Sequence, residues 1–211
     1  MTPVARYYAE KLDTHGVTPQ GVDWSSDDSQ QLRFTQLLGV LEDDEGEPTV
    51  LDYGCGYGAL AQRLIADERP FRYVGFDVCT PMVVQARADV RDPRCSFTDS
   101  EIDLSVSDYA VASGIFNVRL QASEEQWRAH VAKTIATLAR HSRKGFAFNM
   151  LTSYADREKL RDYLYYADPG EYFRMCKESW SRNVALLHHY DLYEFTVLVK
   201  LGSEPKSLLH P

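Results

Sequence analysis

No apolar run in these 211 residues approaches the ~20 that a membrane-spanning helix requires, and no charged-apolar-small leader opens the chain. A cytoplasmic protein without a membrane partner is the expectation. Basic residues are in deficit: 23 Lys and Arg against 31 Asp and Glu leave a net charge of −8. That balance argues against nucleic acid as a partner, since sequence-independent binding needs a basic surface. The short basic stretch 140 to 144 reads instead as a helix C-terminus complementing its dipole. Only four cysteines occur (Cys55, Cys79, Cys95 and Cys176), with no C-x-x-C pair and no metal-ligand spacing. A reduced compartment fits them, and no metal is expected. Internal repeats and low-complexity linkers are also missing, and 44% hydrophobic residues suit one sizeable domain.

What is present is concentrated in residues 49 to 60, where a short apolar strand closes on Asp52 and runs into Gly54, Gly56 and Gly58. Glycines at every second position open backbone conformations closed to other residues and let a ligand approach the main chain. The helix that follows directs its first N–H groups and a partial positive charge to the same place. A P-loop is excluded, because no Gly-Lys-Ser/Thr follows. The dinucleotide fingerprint G-x-G-x-x-G needs a two-residue gap before its third glycine, and that gap is missing. The segment Val50-Leu51-Asp52-Tyr53-Gly54-Cys55-Gly56-Tyr57-Gly58 resembles the first motif of the class I S-adenosylmethionine-dependent methyltransferases, (Val/Ile)-Leu-Asp/Glu-x-Gly-x-Gly-x-Gly.

A second buried strand, 71 to 77, ends at Asp77, within about 20 residues of the last glycine, where an acid reaches ribose hydroxyls. NAD enzymes share this acid, so it indicates a nucleoside without saying which. Thr80-Pro81 then reads as N-cap and first position of a helix. In an open α/β sheet the ligand lies across the carboxyl ends of the strands where their order reverses. The resemblance implies S-adenosylmethionine as cofactor, Val78 against the adenine face, Asp99 accepting the adenine amino group and Ser113 at the methionine moiety. Arg33, placed on the polar face of the first core helix, is the candidate for the methionine carboxylate.

Strand and helix patterns alternate, which predicts βαβ units and a parallel sheet. Helices are expected over 26 to 42, 58 to 67, 81 to 90, from a capping box at Ser123-Glu124-Glu125-Gln126, over a tyrosine-rich 153 to 166, and from Asp168-Pro169-Gly170-Glu171. Strands are expected over 49 to 53, 72 to 77, 95 to 98, 108 to 113, 145 to 151, 184 to 189 and 192 to 200, the last two joined by a tight turn at Tyr190-Asp191. The resemblance implies a Rossmann-like doubly wound α/β sheet of seven strands, order 3-2-1-4-5-7-6, with the last strand antiparallel and helices on both faces. Residues 1 to 25, with Tyr7, Tyr8 and Trp24, are expected to form a lid segment, and 26 to 211 a single domain.

Methyl transfer from a sulfonium needs alignment more than covalent help, so no single side chain is obligatory. A base matters only where the acceptor carries a proton that must leave. His189 near the last turn, Asn117 beyond the fourth strand and Tyr166 in the tyrosine-rich stretch are the candidates on the acceptor side. A small-molecule acceptor methylated at oxygen or nitrogen is expected. An NAD-dependent dehydrogenase and a binding protein without turnover are the alternatives.

Overall fold

The computed structural model describes residues 3–22 and 26–202. In chain order these form α1 (Pro3–His15), α2 (Asp27–Leu38), β1 (Thr49–Tyr53), α3 (Ala59–Ala66), β2 (Arg72–Phe76), α4 (Thr80–Asp89), β3 (Cys95–Thr98), β4 (Ser107–Ala112), α5 (Glu124–Arg140), β5 (Ser142–Leu151), α6 (Pro169–Ser179), β6 (Asn183–Leu187) and β7 (Glu194–Lys200). The seven strands make one sheet in the order β3-β2-β1-β4-β5-β7-β6. All neighbours pair in parallel except those of β7, which runs antiparallel to both β5 and β6. Strand order reverses between β1 and β4, and the crevice at such a reversal is where this architecture takes its ligand.

Two apolar layers flank the sheet. On one face Phe34 and Leu37 of α2, Leu60 and Leu64 of α3, and Val83 and Ala86 of α4 cover Val50, Tyr73, Val111 and Ala147. On the other, Trp127, Val131, Ile135 and Leu138 of α5 join Tyr172 and Cys176 of α6 over Leu51, Phe146, Phe148 and Val197. Central strands buried on both faces read as continuous apolar runs, as β4 and β5 do. The helix starts follow local chemistry. Ser123 and Gln126 close a reciprocal capping box on α5, and Asp168 accepts the Gly170 N–H at the start of α6. No helix among the described residues is long and apolar enough to cross a membrane.

Four expectations need correction. Residues 153 to 166 are not a helix. They hold one short 3₁₀ turn, Arg157–Lys159, and Ala155 and Tyr165 alone are buried, so no helical face exists to pack. Their backbone instead bonds the loop after β4: Tyr165 N–H donates to the Asn117 carbonyl, and the Tyr163 carbonyl accepts from Arg119 and Leu120. The connection between β6 and β7 is a six-residue loop, 188 to 193, rather than a tight turn, with Asp191 at φ 53°. Helix α4 is capped at Cys79, not Thr80. Finally, the basic stretch straddles two elements: Arg140 ends α5 and Ser142 already opens β5, where Arg143 and Lys144 pair with Asp108 and Asp44.

Candidate functional site

At the carboxyl ends of β1, β2 and β4 lies a cleft lined by Tyr8, Gln30, Phe34, Asp52, Gly54, Gly56, Asp77, Met82, Ser113 and Ile115, with several apolar neighbours. The glycine turn shapes it. Gly54, Gly56 and Gly58 have φ of 92°, 53° and 88°, left-handed values that glycine adopts readily. The N–H groups of Gly54 and Cys55 both donate to the Phe76 carbonyl, at 2.7 and 2.9 Å, which pins the turn to the end of β2. Close approach is tight at Gly54, where an added Cβ would stand 2.2 Å from Cγ2 of Ile115.

Asp77 fastens the other side. Its Oδ2 accepts from Gly56 N at 2.9 Å and its Oδ1 from Cys79 N at 2.8 Å, joining the glycine turn to the start of α4. Burial raises its pKa against these two bonds, which favour the ionised form. Each oxygen keeps a second lone pair for a ligand hydroxyl. Asp52, at the cleft floor, is 3% exposed. Its Oδ2 accepts a 2.6 Å bond from the Tyr73 hydroxyl, while Oδ1 has no partner among the described residues. Burial, opposed by the Tyr73 bond and aided by Asp77, pushes its carboxyl up to about 7. The described lining thus holds two carboxyls and no lysine or arginine.

Several expected site residues are brought together here: Asp52, Gly54, Gly56, Asp77 and Ser113. Gly58 sits behind the turn as the left-handed N-cap of α3, against Val90 and Phe97. Val78 is exposed beside Asp77. Asp99 is exposed and accepts from the Thr80 hydroxyl at 2.7 Å, a bond that lowers its pKa. Arg33 does not line the cleft and is not on a polar face. It is buried and grips Glu194 of β7 through two 2.7 Å bonds. The α2 side chains that do line the cleft are Phe34 and, one turn before Arg33, Gln30, which is 4% exposed and 3.4 Å from the Tyr57 hydroxyl.

The three acceptor-side candidates stay apart. Asn117 is buried and its Oδ1 accepts the Leu151 N–H at 3.2 Å, tying the loop after β4 to the end of β5. Tyr166 bonds back into its own loop, to Arg161 N and the Lys159 carbonyl. His189 is exposed in a separate groove bordered by Leu38, Ala185, Leu187 and Leu198. Asn149 acts as a fastener too: its Oδ1 accepts from Gly114 N at 2.7 Å and holds the Ser113-Gly114 backbone at the cleft. Gln30 and Phe34 escaped sequence reasoning as site residues, since a glutamine and a phenylalanine at helical positions carry no signature of their own. Tyr8, on α1, does reach the cleft, and Ala5 of α1 is buried with Tyr57, Cys79 and Met82. Trp24 lies outside the described residues.

Sheet order, glycine turn and strand-end acids define the Rossmann-like class of nucleoside-binding enzymes. A family model described as a methyltransferase domain matches residues 50–145. A protein of Mycobacterium tuberculosis H37Rv, named "Putative methyltransferase Rv1506c", is 49% identical over 159 residues, 74% of this chain and 94% of its own length. Among solved structures, magnesium protoporphyrin IX methyltransferase from Synechocystis PCC 6803 with bound SAH superposes at TM-score 0.61 and 14% identity, over 83% of this chain and 84% of that one. Human N-acetylserotonin methyltransferase in complex with SAM gives 0.66 at 14% identity, over 95% and 58%. The chain belongs to the class I S-adenosylmethionine-dependent methyltransferases.

Proposed function

We propose that this enzyme transfers the methyl group of S-adenosylmethionine to a small-molecule acceptor, at oxygen or nitrogen. The observation that carries the reading is the make-up of the cleft: two acids, Asp52 and Asp77, with no cation among the described lining. A pyrophosphate would find no described cation to offset its charge, so a dinucleotide is disfavoured there. A ligand with ribose hydroxyls at one end and cationic groups at the other matches them. The unpartnered, buried Asp52 Oδ1 is the kind of group a donor from such a ligand would satisfy.

In this reading Asp77 accepts the ribose hydroxyls, while Val78 and Asp99 face the adenine. Asp52 takes the ammonium of the methionyl tail, with Ser113 beside it. Gln30 and the Tyr57 hydroxyl, rather than Arg33, offer neutral donors to its carboxylate. The cofactor, when bound, supplies an electrophilic methyl carbon for in-line displacement. Phe34, Ile115 and Tyr8 of the described lining contribute by excluding water and fixing the direction of approach, which supplies much of the acceleration. The open volume of the cleft is about 70 Å³, well below the 300–1,000 Å³ of a typical ligand pocket. Helix α1, as a lid, and the Ile115 loop therefore shift to admit the cofactor.

Calorimetric titration with S-adenosylhomocysteine and with NAD tests the first half. Tight NAD binding without S-adenosylhomocysteine binding sinks it. Methyl label from S-adenosylmethionine, followed into a panel of small phenols, carboxylic acids and amines beside RNA and protein, tests the second. Label found only in a macromolecule defeats the small-molecule assignment, and cofactor binding without label in any acceptor favours a protein without turnover.

A further inference from the structure

The floor of the cleft holds a carboxyl group with no counter-charge among the described residues. Asp52 is the fourth residue of β1, buried, with Oδ1 unpartnered and Oδ2 held at 2.6 Å by the phenol of Tyr73. Tyr73 comes from the neighbouring strand, in register with Val50, and is itself 1% exposed with its ring against Phe97. Among the described residues, three titratable groups face Asp52: Tyr73 from β2, Asp77 beyond the end of β2, and Cys55 from the glycine turn. None carries positive charge. Burial keeps the Tyr73 hydroxyl and the Cys55 thiol protonated, both pushed well above their ordinary range. Asp77 is an acid like Asp52, but its two backbone N–H partners stabilise its ionised form. Asp52 has only one neutral donor.

Burial, an unpartnered Oδ1 and a single neutral donor on Oδ2 favour the protonated form of Asp52. We propose that docking of the ammonium group of the methionyl tail ionises Asp52 and expels its proton to solvent, with the Tyr73 hydroxyl positioning the carboxyl and setting the pH at which exchange occurs. The step balances: a neutral carboxylic acid and an ammonium become a carboxylate–ammonium pair, and one proton leaves to buffer. Burial raises the free carboxyl to about 7, which puts the exchange in the physiological range. The proposal rests on the cofactor reading above and adds to it a proton stoichiometry and a role for Tyr73 as a positioning residue.

The test is calorimetry on the intact chain in buffers of different ionisation heat, from about pH 5.5 to about pH 8, which counts protons released per ligand bound. The probes are S-adenosylhomocysteine and 5′-methylthioadenosine, which keeps the nucleoside and thioether but lacks the amino-acid tail. Expected for S-adenosylhomocysteine is release approaching one proton at the acid end and fading above neutrality, with affinity rising about tenfold per pH unit below the transition. Methylthioadenosine should release none. Asp52→Asn should bind S-adenosylhomocysteine more weakly and without proton release. Tyr73→Phe should move the release profile to higher pH, a shift that loss of packing alone would not produce.

Equal release with both ligands, or release that persists in Asp52→Asn, assigns the proton to another group and overturns the proposal. Tight S-adenosylhomocysteine binding with no release at the acid end overturns the proton coupling while leaving the cofactor reading intact. Binding of neither probe by the wild-type chain removes the cofactor reading and this inference with it.

Discussion

Arg33 of α2 and Glu194 of β7 meet as a bidentate pair, Nε and one terminal nitrogen each 2.7 Å from a carboxylate oxygen, although 161 residues separate them in sequence. Both side chains are buried, and Arg33 supplies the counter-charge of the Glu194 carboxylate. Removing one partner of such a pair leaves an uncompensated charge, at a cost of about 3–5 kcal/mol, whereas replacing both with apolar groups is often nearly neutral. Urea denaturation should therefore show Arg33→Ala strongly destabilised and Arg33→Met combined with Glu194→Leu largely restored. The ratio of S-adenosylhomocysteine to methylthioadenosine affinity should hold in that double variant and fall about tenfold in Gln30→Ala, as loss of one charge-assisted hydrogen bond predicts. A ratio that collapses in the double variant would return Arg33 to the methionine carboxylate.

Gly54→Ala should lose cofactor binding and stability together. The new methyl meets Cγ2 of Ile115 and the residue must hold φ near 92°. Trimming the obstacle with Ile115→Ala should recover part of the binding but not the backbone strain, worth about 1–3 kcal/mol. Thermal melts and titrations of the single and double variants separate the two terms.

The raised carboxyl of Asp52 has a signature in the free protein's stability. Its folded pKa of about 7 exceeds the unfolded value of 3.8, so between these limits the folded state binds more protons than the unfolded one. The contribution is then fully present below the unfolded pKa and is lost as pH rises through the folded one, by up to a few kcal/mol. Unfolding free energies of wild type minus Asp52→Asn, measured without cofactor, should fall between about pH 4 and pH 7 and level off beyond. A flat difference would show that Asp52 ionises normally.

Two acceptor-side candidates should separate cleanly. Asn117→Ala leaves the part-buried Leu151 N–H without its acceptor and should cost about 1 kcal/mol or more of stability. His189→Ala, in an exposed groove outside the cleft, should change turnover less than twofold once an acceptor is in hand. A large drop in kcat with unchanged melting temperature would place His189 in the reaction after all.

The glycine turn, Asp52 and Asp77 were legible because each demand is local: strand, left-handed turn, acid and helix start follow one another along the chain. The sheet order came from the resemblance that this motif carries. Arg33 was misread because helical spacing names a face but not what lies across from it, and Glu194 arrives from the opposite end of the chain. The tyrosine-rich stretch failed for a related reason. Tyr163 and Tyr166 have helical spacing, yet the backbone found partners at Asn117, Arg119 and Leu120 in another loop. His189 looked close to the rim because a tight turn was expected where six residues intervene.

The pairing of Arg33 with Glu194 also ties the cleft to a distant part of the chain. Strand β7 is the last element of the described chain yet inserts between β5 and β6, and it carries the anion that holds the helix presenting Gln30 and Phe34. A chain interrupted before Glu194 keeps every residue of the glycine turn and the apolar packing of α2, yet leaves the Arg33 guanidinium without this carboxylate. A variant stopped near residue 190 should therefore bind S-adenosylhomocysteine more weakly than the intact chain, although none of the described cleft residues has been removed.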